Sequence, residues 1–232
     1  MNLEQVWAHP AETVRKFDAI LARGLTRGVG TRDGQMCIEA AICTVLDLPH
    51  GDDPVCVTPA VRRYKIRLND SHRWVSAASR ADGLRALGLA QIGSRGVVDD
   101  AEFARRLVEK TNRVLIPDLF RRFSNKPEML AAADRCEREG TREAASEARR
   151  AADAAAATAA AAAYAADAAA ATAAAYAAYA AAATAAAAAY AAYAAGFEGV
   201  APEYYLRLSA DLALDVLREL KSPGMALLEV RL

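Results

Sequence analysis

The sequence has few of the features that mark secreted proteins. Four cysteines occur among 232 residues, at positions 37, 43, 56 and 136, and they lack the close spacing of a disulfide framework. We therefore expect reduced thiols. The chain does not open with a basic segment followed by an apolar run, so we expect no secretory signal. These absences together indicate a cytoplasmic protein.

Excess positive charge is also lacking, since 29 Lys and Arg residues balance 29 Asp and Glu residues. The densest basic stretch contains Arg62, Arg63, Lys65, Arg67 and Arg73, beside Tyr64 and Trp74. Such a stretch suits either a phosphate backbone with stacked bases or a solvated helix face. Because the N-terminal part has only a small surplus of basic residues, we favour the helix face. We predict no nucleic-acid partner.

Glycine and proline are absent from residues 141–195, and within the alanine-rich segment, residues 151–195, only ten residues are not alanine. Alanine has the highest helix propensity, so the segment is predicted to be helical. As one helix, residues 141–195 would be roughly 80 Å long. The rest of the chain is too small to cover that length. We expect the helix to project, to fold back as a hairpin, or to pair with another chain.

The side chains that interrupt the alanine-rich segment favour one side of the predicted helix. On a helical wheel the tyrosines share one arc, and apart from Thr184 the opposite half is alanine only. A methyl-only face allows another backbone to approach closely, and a tyrosine stripe suits a half-wet interface. We therefore predict a homo-oligomer or a partner helix. The predicted interaction residues are Tyr164, Tyr176, Tyr179, Tyr190 and Tyr193.

Two other interpretations of the alanine-rich segment are weaker. No charge occurs between Asp167 and Glu198, which is long enough for a bilayer span. Alanine is only weakly apolar, however, and the tyrosines do not form two belts, so we expect no membrane association. The composition also resembles alanine-rich helical antifreeze proteins. Their threonines repeat every eleven residues, whereas Thr158, Thr172 and Thr184 follow no such repeat.

Hydrophobic spacing outside this segment predicts further helices and an all-α fold. The predicted architecture is a small helical N-terminal domain, a long alanine-rich helix or helical hairpin, and a short C-terminal amphipathic helix. Residues 64–68 alternate and also fit a short strand, although we favour helix. Pro117 is expected to end the last helix of the N-terminal domain. The predicted divisions are residues 1–125, 126–196 and 197–232.

Cys37 is the strongest candidate for chemistry, because it follows a glycine-rich loop at the start of a predicted helix. The positive end of a helix dipole lowers a thiol pKa. Gln35 lies two residues before Cys37, and His50 or His72 is the available base. This arrangement resembles papain-like enzymes, although the glutamine spacing differs from theirs. The candidate catalytic set is Cys37, Gln35, His50 and His72. A structural, buried Cys37 is the alternative that we favour.

No metal or cofactor is predicted. Cys37, Cys43, His50 and Cys56 lack the short separations of a structural zinc site. Asp52 and Asp53 lack the ligand alternation of a calcium loop. The glycine-rich loop lacks both a Walker lysine and a dinucleotide fingerprint.

Several motifs carry a resemblance to an uncharacterised family of phage and bacterial proteins. They are DGQMCIEAA at residues 33–41, LPHGDDP at 48–54 followed by Cys56, LND at 68–70, and LKSPG at 220–224. In that family a similar domain often precedes an alanine-rich tail. The resemblance implies kinship and a phage or bacterial origin, and it implies no activity. We expect a non-enzymatic structural or interaction protein, with a cysteine-dependent, hydrolase-like enzyme as the alternative.

Overall fold

The computed structural model describes residues 3–154 and 203–232. Within these ranges the chain is helical and forms no strand, which confirms the all-α prediction. Most of the alanine-rich segment, with its five tyrosines, lies outside the described residues. Ten α-helices are found in the described ranges. They are α1 (Leu3–Ala8), α2 (Pro10–Leu21), α3 (Ile38–Val45), α4 (Pro59–Asp70), α5 (Ala77–Ala90), α6 (Asp100–Lys110), α7 (Ile116–Phe123), α8 (Pro127–Glu139), α9 (Arg142–Ala154) and α10 (Tyr204–Glu219).

The chain divides into two compact units. The first unit comprises residues 1–103 and 213–232, and the second comprises residues 104–212. The two ends of the chain therefore belong to one unit. The division at residues 125 and 196 that the sequence indicates stays a prediction.

Helix starts in the first unit follow local chemistry. Pro10 and Pro59 lie in the first turns of α2 and α4, where a missing N–H is harmless. Asp100 caps α4, because its Oδ1 accepts hydrogen bonds from Thr58 Oγ1 at 2.6 Å and from Ala60 N at 2.8 Å. Residues 64–68 are helical within α4, so the short-strand alternative is wrong.

A loop between α2 and α3 folds back on itself before Cys37. Met36 forms isolated bridges with Leu25 and Gly30, and Cys37 N donates to Val29 O at 3.2 Å. Gly30 has a φ of 71°, and a Cβ there would overlap the Gln35 carbonyl oxygen. Glycine is therefore required at this close approach. The loop delivers Cys37 to the start of α3.

The C-terminal end of the chain completes the first unit. A 3₁₀ helix, Pro223–Glu229, packs against α5. Ser222 Oγ donates to Ala90 O at 2.6 Å, and Gly224 approaches the Leu89 and Ala90 backbone so closely that a Cβ would clash. Truncation before residue 213 would therefore remove part of this unit.

The second unit contains α7, α8 and α9 around a π-helical turn, Thr111–Leu115. Pro117 was expected to end a helix, and this expectation is wrong. The chain stays helical through the π turn, and Pro117 falls in the first turn of α7, where no N–H is needed. Asn112 then holds the α8–α9 connection by donating to Gly140 O at 3.1 Å and Thr141 O at 3.2 Å.

Candidate functional site

Cys37 lies at the N-cap position of α3, and its side chain caps this helix. Cys37 Sγ accepts a hydrogen bond from Ala40 N at 3.3 Å, and the residue is 4% exposed. Burial raises the pKa of the Cys37 thiol to about 11, while the Ala40 N–H acts in the opposite direction. The thiol is therefore overwhelmingly protonated at neutral pH, which favours the structural role over a thiolate nucleophile.

The three proposed assistants of Cys37 lie elsewhere in the loops. Gln35 is exposed and donates from Nε2 to Arg23 O at 2.9 Å. His50 Nε2 lies 3.2 Å from Gly30 O, and His72 is exposed. A small cleft lies beside Cys37, and none of these three residues contributes to its wall. The catalytic set stays a prediction, since no arrangement of these side chains for proton transfer is seen in the described residues.

The cleft beside Cys37 is narrow, and its lining, which includes Ile38 and Ile66, is more apolar than polar. Cys37, Glu39, Asp52, Asn69, Asp70 and Gly28 contribute to its wall, and its interior space of about 10 Å³ holds roughly one water molecule. Space of this size is too small for an organic substrate.

Asn69 forms hydrogen bonds along one wall of the cleft, and the sequence did not predict it as a site residue. Its Oδ1 accepts from Ile38 N at 3.3 Å, and its Nδ2 donates to Thr26 O at 2.8 Å. Asn69 thus connects the end of α4 to both the glycine-rich loop and the first turn of α3. Asp70 adds a second connection, because its Oδ1 accepts from Gly28 N at 2.9 Å.

A buried acid–base cluster, Glu39, Lys65 and Gln91, lies behind this wall. Glu39 Oε1 and Lys65 Nζ are 3.3 Å apart, with side chains 1% and 0% exposed. Gln91 Nε2 donates to Glu39 Oε2 at 2.9 Å. Burial raises the pKa of Glu39 to about 7, against the attraction of Lys65. Burial also lowers the pKa of Lys65, against the attraction of Glu39.

Composition and motif spacing do not indicate this cluster, but charged residues at apolar positions of the sequence do. Glu39 stands within an otherwise apolar run at residues 38–42, and Lys65 lies four residues after Val61 and three before Leu68 on the buried face of α4. A charged residue at a core position of a helix calls for a buried partner. Lys65 was expected on a solvated face, and its burial shows that this expectation is wrong.

The basic stretch on α4 does not provide a base-stacking surface. Tyr64 is 0% exposed, and Trp74 is 5% exposed with its Nε1 donating to Leu68 O at 2.8 Å. Both rings are therefore core residues. Arg62 pairs with Asp52 at 3.1 Å, which lowers the positive charge that this face presents.

Residues 3–154 and 203–232 offer neither a metal centre nor a membrane span. No group of three or more His, Cys, Asp or Glu side chains there is arranged to hold a metal ion. No helix in the same ranges combines the length and apolar character needed to cross a bilayer.

Comparison with known proteins finds no family model, curated protein or solved structure that matches this chain.

Proposed function

We propose that the protein is a non-enzymatic structural or interaction protein, which associates through its alanine- and tyrosine-rich helical segment with a second copy or with a partner helix. The packing of α8 against α9 carries this proposal. These two helices lead directly into the alanine-rich segment, and they belong to the described residues.

Buried alanines occur on both α8 and α9, the two helices that pack against each other. Ala144, Ala145 and Ala148 on α9 are all 0% exposed, and they lie three and four residues apart, so they form one stripe. The stripe on α8 has the same spacing and contains Ala132, Ala133 and Cys136. Arg135 and Glu147 pair across the two helices. Methyl stripes with a polar edge thus support helix pairing in this chain.

The same pattern continues into the alanine-rich segment, which begins before α9 ends. Each alanine buries little area, so the free energy per residue is small and a stable contact must be long. A segment of 45 residues provides that length. Its predicted tyrosine arc would add larger side chains at the edge of the interface.

A cytoplasmic location is part of the proposal. All four cysteines are free and buried, as expected for a protein of a reducing compartment. The phage or bacterial origin follows only from the resemblance of the motifs.

Sedimentation velocity of the full chain over a wide concentration range tests the proposal. We expect a dimer or a higher species, and a wild-type chain that stays monomeric would refute self-association. Ala170→Glu with Ala188→Glu should give a monomer, because both positions lie opposite the tyrosine arc on the predicted wheel. Glutamate retains high helix propensity, so helix loss would not explain the result. Ala170→Ser with Ala188→Ser is the matched control and should still associate.

The cysteine-dependent alternative is separable by alkylation. If Cys37 is structural, iodoacetamide at neutral pH should modify it more slowly than a free thiol, because the thiol is buried and its pKa is raised. Peptide-resolved mass spectrometry measures this rate. Faster modification that disappears on replacing His50 or His72 would favour the enzyme.

A further inference from the structure

The carbonyl oxygens at the end of α8 and in the connection that follows accept hydrogen bonds from two adjacent side chains of the π turn, Thr111–Leu115. Arg113 donates from its guanidinium to the last three carbonyls of α8, at residues 137–139. Asn112 donates from Nδ2 to the next two carbonyls, at residues 140–141. Each of these successive carbonyls therefore has a side-chain partner in the π turn.

Arg113 suits the end of α8 in both hydrogen bonding and charge. The last four carbonyls of an α-helix have no N–H partner within the helix, and the negative end of the helix dipole favours a cation there. Arg113 lies 2.9 Å from both Glu137 O and Glu139 O. Its Nε donates to Glu109 Oε1 at 3.1 Å, which orients the guanidinium toward α8. Arg113 thus caps the C-terminus of α8 from outside that helix.

Asn112 is 0% exposed, and a buried amide is costly unless it is hydrogen-bonded. Its Nδ2 has two acceptors, Gly140 O at 3.1 Å and Thr141 O at 3.2 Å. Its Oδ1 is also buried and makes no hydrogen bond within the described part of the chain. The amide donors therefore account for asparagine at this position, since its acceptor is unsatisfied.

The start of α9 is tied to the same connection. Thr141 Oγ1 accepts from Ala144 N at 3.2 Å, as an N-cap does, and Thr141 O accepts from Ala145 N at 3.1 Å as well as from Asn112. Gly140 precedes this cap with a φ of 65°, and a Cβ there would come within 2.7 Å of Arg113 Nε. The connection therefore needs glycine, and it packs directly against Arg113.

Single π turns within helices are rare and frequently occur at functional sites. We propose that the π turn is a clamp, in which Asn112 and Arg113 hold the α8–α9 connection in one conformation and so fix the direction in which α9 leads into the alanine-rich segment. The clamp itself is a property of the second unit. Its consequence for association rests on the proposed function, because a fixed direction limits how the segment aligns with a second copy or a partner helix.

Hydrogen exchange of the full chain tests the clamp, with mass spectrometry of a peptide that covers residues 137–147. Asn112→Leu should raise the exchange rate of this peptide at least about tenfold, because the Gly140 and Thr141 carbonyls lose their donor. Helix α7 should keep its protection, since the clamp acts on the connection. Asn125→Leu makes the same change at an exposed position between α7 and α8 and should leave the exchange rate unchanged. If the two variants exchange at the same rate, the proposal is overturned.

Arg113→Met provides a second variant at a half-buried position, where replacement should not unfold the unit. It should raise the exchange rate of the same peptide by a smaller factor, about threefold, because water can reach the carbonyls that lose the guanidinium. Arg138→Met makes the same change at an exposed position of α8 and should have no effect. An unchanged rate in Arg113→Met would contradict a clamp formed by both side chains.

A double-mutant cycle then tests whether Arg113 holds residue 140 directly. Gly140→Ala should speed exchange less in the Arg113→Ala background than in the wild type, because the added methyl group no longer meets the guanidinium. Additive effects would show that Arg113 does not hold the connection. Hydrogen exchange does not require association, so a monomeric wild type would refute the proposed function while these comparisons still decide on the clamp.

Discussion

In the first unit large side chains and polar groups are buried together, whereas in the second unit the packed helices α8 and α9 both bury alanines. Phe17, Ile38 and Tyr64 are fully buried in the first unit, together with the Glu39–Lys65 pair. Ala133 on α8 and Ala145 on α9 are fully buried, and Arg135 on α8 pairs with Glu147 on α9. Specific polar partners characterise the first interior, and small buried side chains characterise α8 and α9.

This difference determines which kind of substitution lowers the stability of each region. In the first unit the loss of one polar partner leaves another group buried and unsatisfied. For the buried alanines of α8 and α9, added volume is the damaging change. The two regions should therefore respond to different substitutions, with the largest effect expected at the buried charge pair.

Lys65→Met should lower the free energy of unfolding of the first unit by about 3–5 kcal/mol at neutral pH, because it leaves the Glu39 carboxylate buried without its counter-charge. Urea unfolding followed by tryptophan fluorescence is the measurement, since Trp7 and Trp74 both belong to this unit. Arg63→Met, at an exposed position two residues earlier on α4, is the control and should change stability by less than about 0.5 kcal/mol. Equal losses in the two variants would show that Lys65 is not specifically paired.

Asn69→Ala should destabilise the same unit by about 2 kcal/mol, because the Ile38 N–H and the Thr26 carbonyl lose their partner. The fluorescence assay again reports the change. Asp70→Asn retains an acceptor for Gly28 N and should have a much smaller effect. If Asn69→Ala were neutral, the wall of the cleft would not depend on this side chain.

Ala133→Leu should destabilise the packing of α8 by about 1–3 kcal/mol, because Ala133 is 0% exposed and a larger side chain must displace its neighbours. Hydrogen exchange of α8 and α9 peptides is the appropriate measurement. Ala131→Leu makes the same change at an exposed position of the same helix and should preserve the protection. Equal exchange in the two variants would mean that the alanine stripe does not pack as described.

Cys37→Ala should destabilise the first unit by about 1 kcal/mol through loss of the N-cap acceptor for Ala40 N. Cys37→Ser keeps an acceptor at this position and should recover most of that loss in the same fluorescence assay. An equal loss in both variants would assign the role of Cys37 to packing instead of capping.

Local patterns predicted much of this fold. Pro10 and Pro59 identify the starts of α2 and α4, because each proline acts within its own turn. Ser76 likewise caps α5 locally, since its Oγ accepts a hydrogen bond from Ser79 N at 2.9 Å. The π turn before Pro117 and the return of residues 213–232 to the first unit depend on contacts distant in sequence. These two features could not be predicted from local spacing.

Local sequence likewise predicted only part of the candidate site. The position of Cys37 at a helix start follows from the local sequence and is observed. Glu39 and Lys65 are 26 residues apart, and Asn69 contacts residues 31 and 43 positions earlier. Only the packing of α3 against α4 brings these side chains together. Tyr64, which the sequence had placed near a basic surface, is also buried, and its ring lies beside Phe103 with centroids 6.3 Å apart.

A double-mutant cycle on Glu39 and Lys65 tests most directly the claim that a buried charge pair defines the first interior. Urea unfolding at neutral pH is compared for the wild type, Glu39→Gln, Lys65→Met and the double variant. We predict that each single variant loses stability, while the double variant matches or exceeds the wild type, because no charge then remains buried. Additive losses, with the double variant the least stable of the four, would contradict the claim.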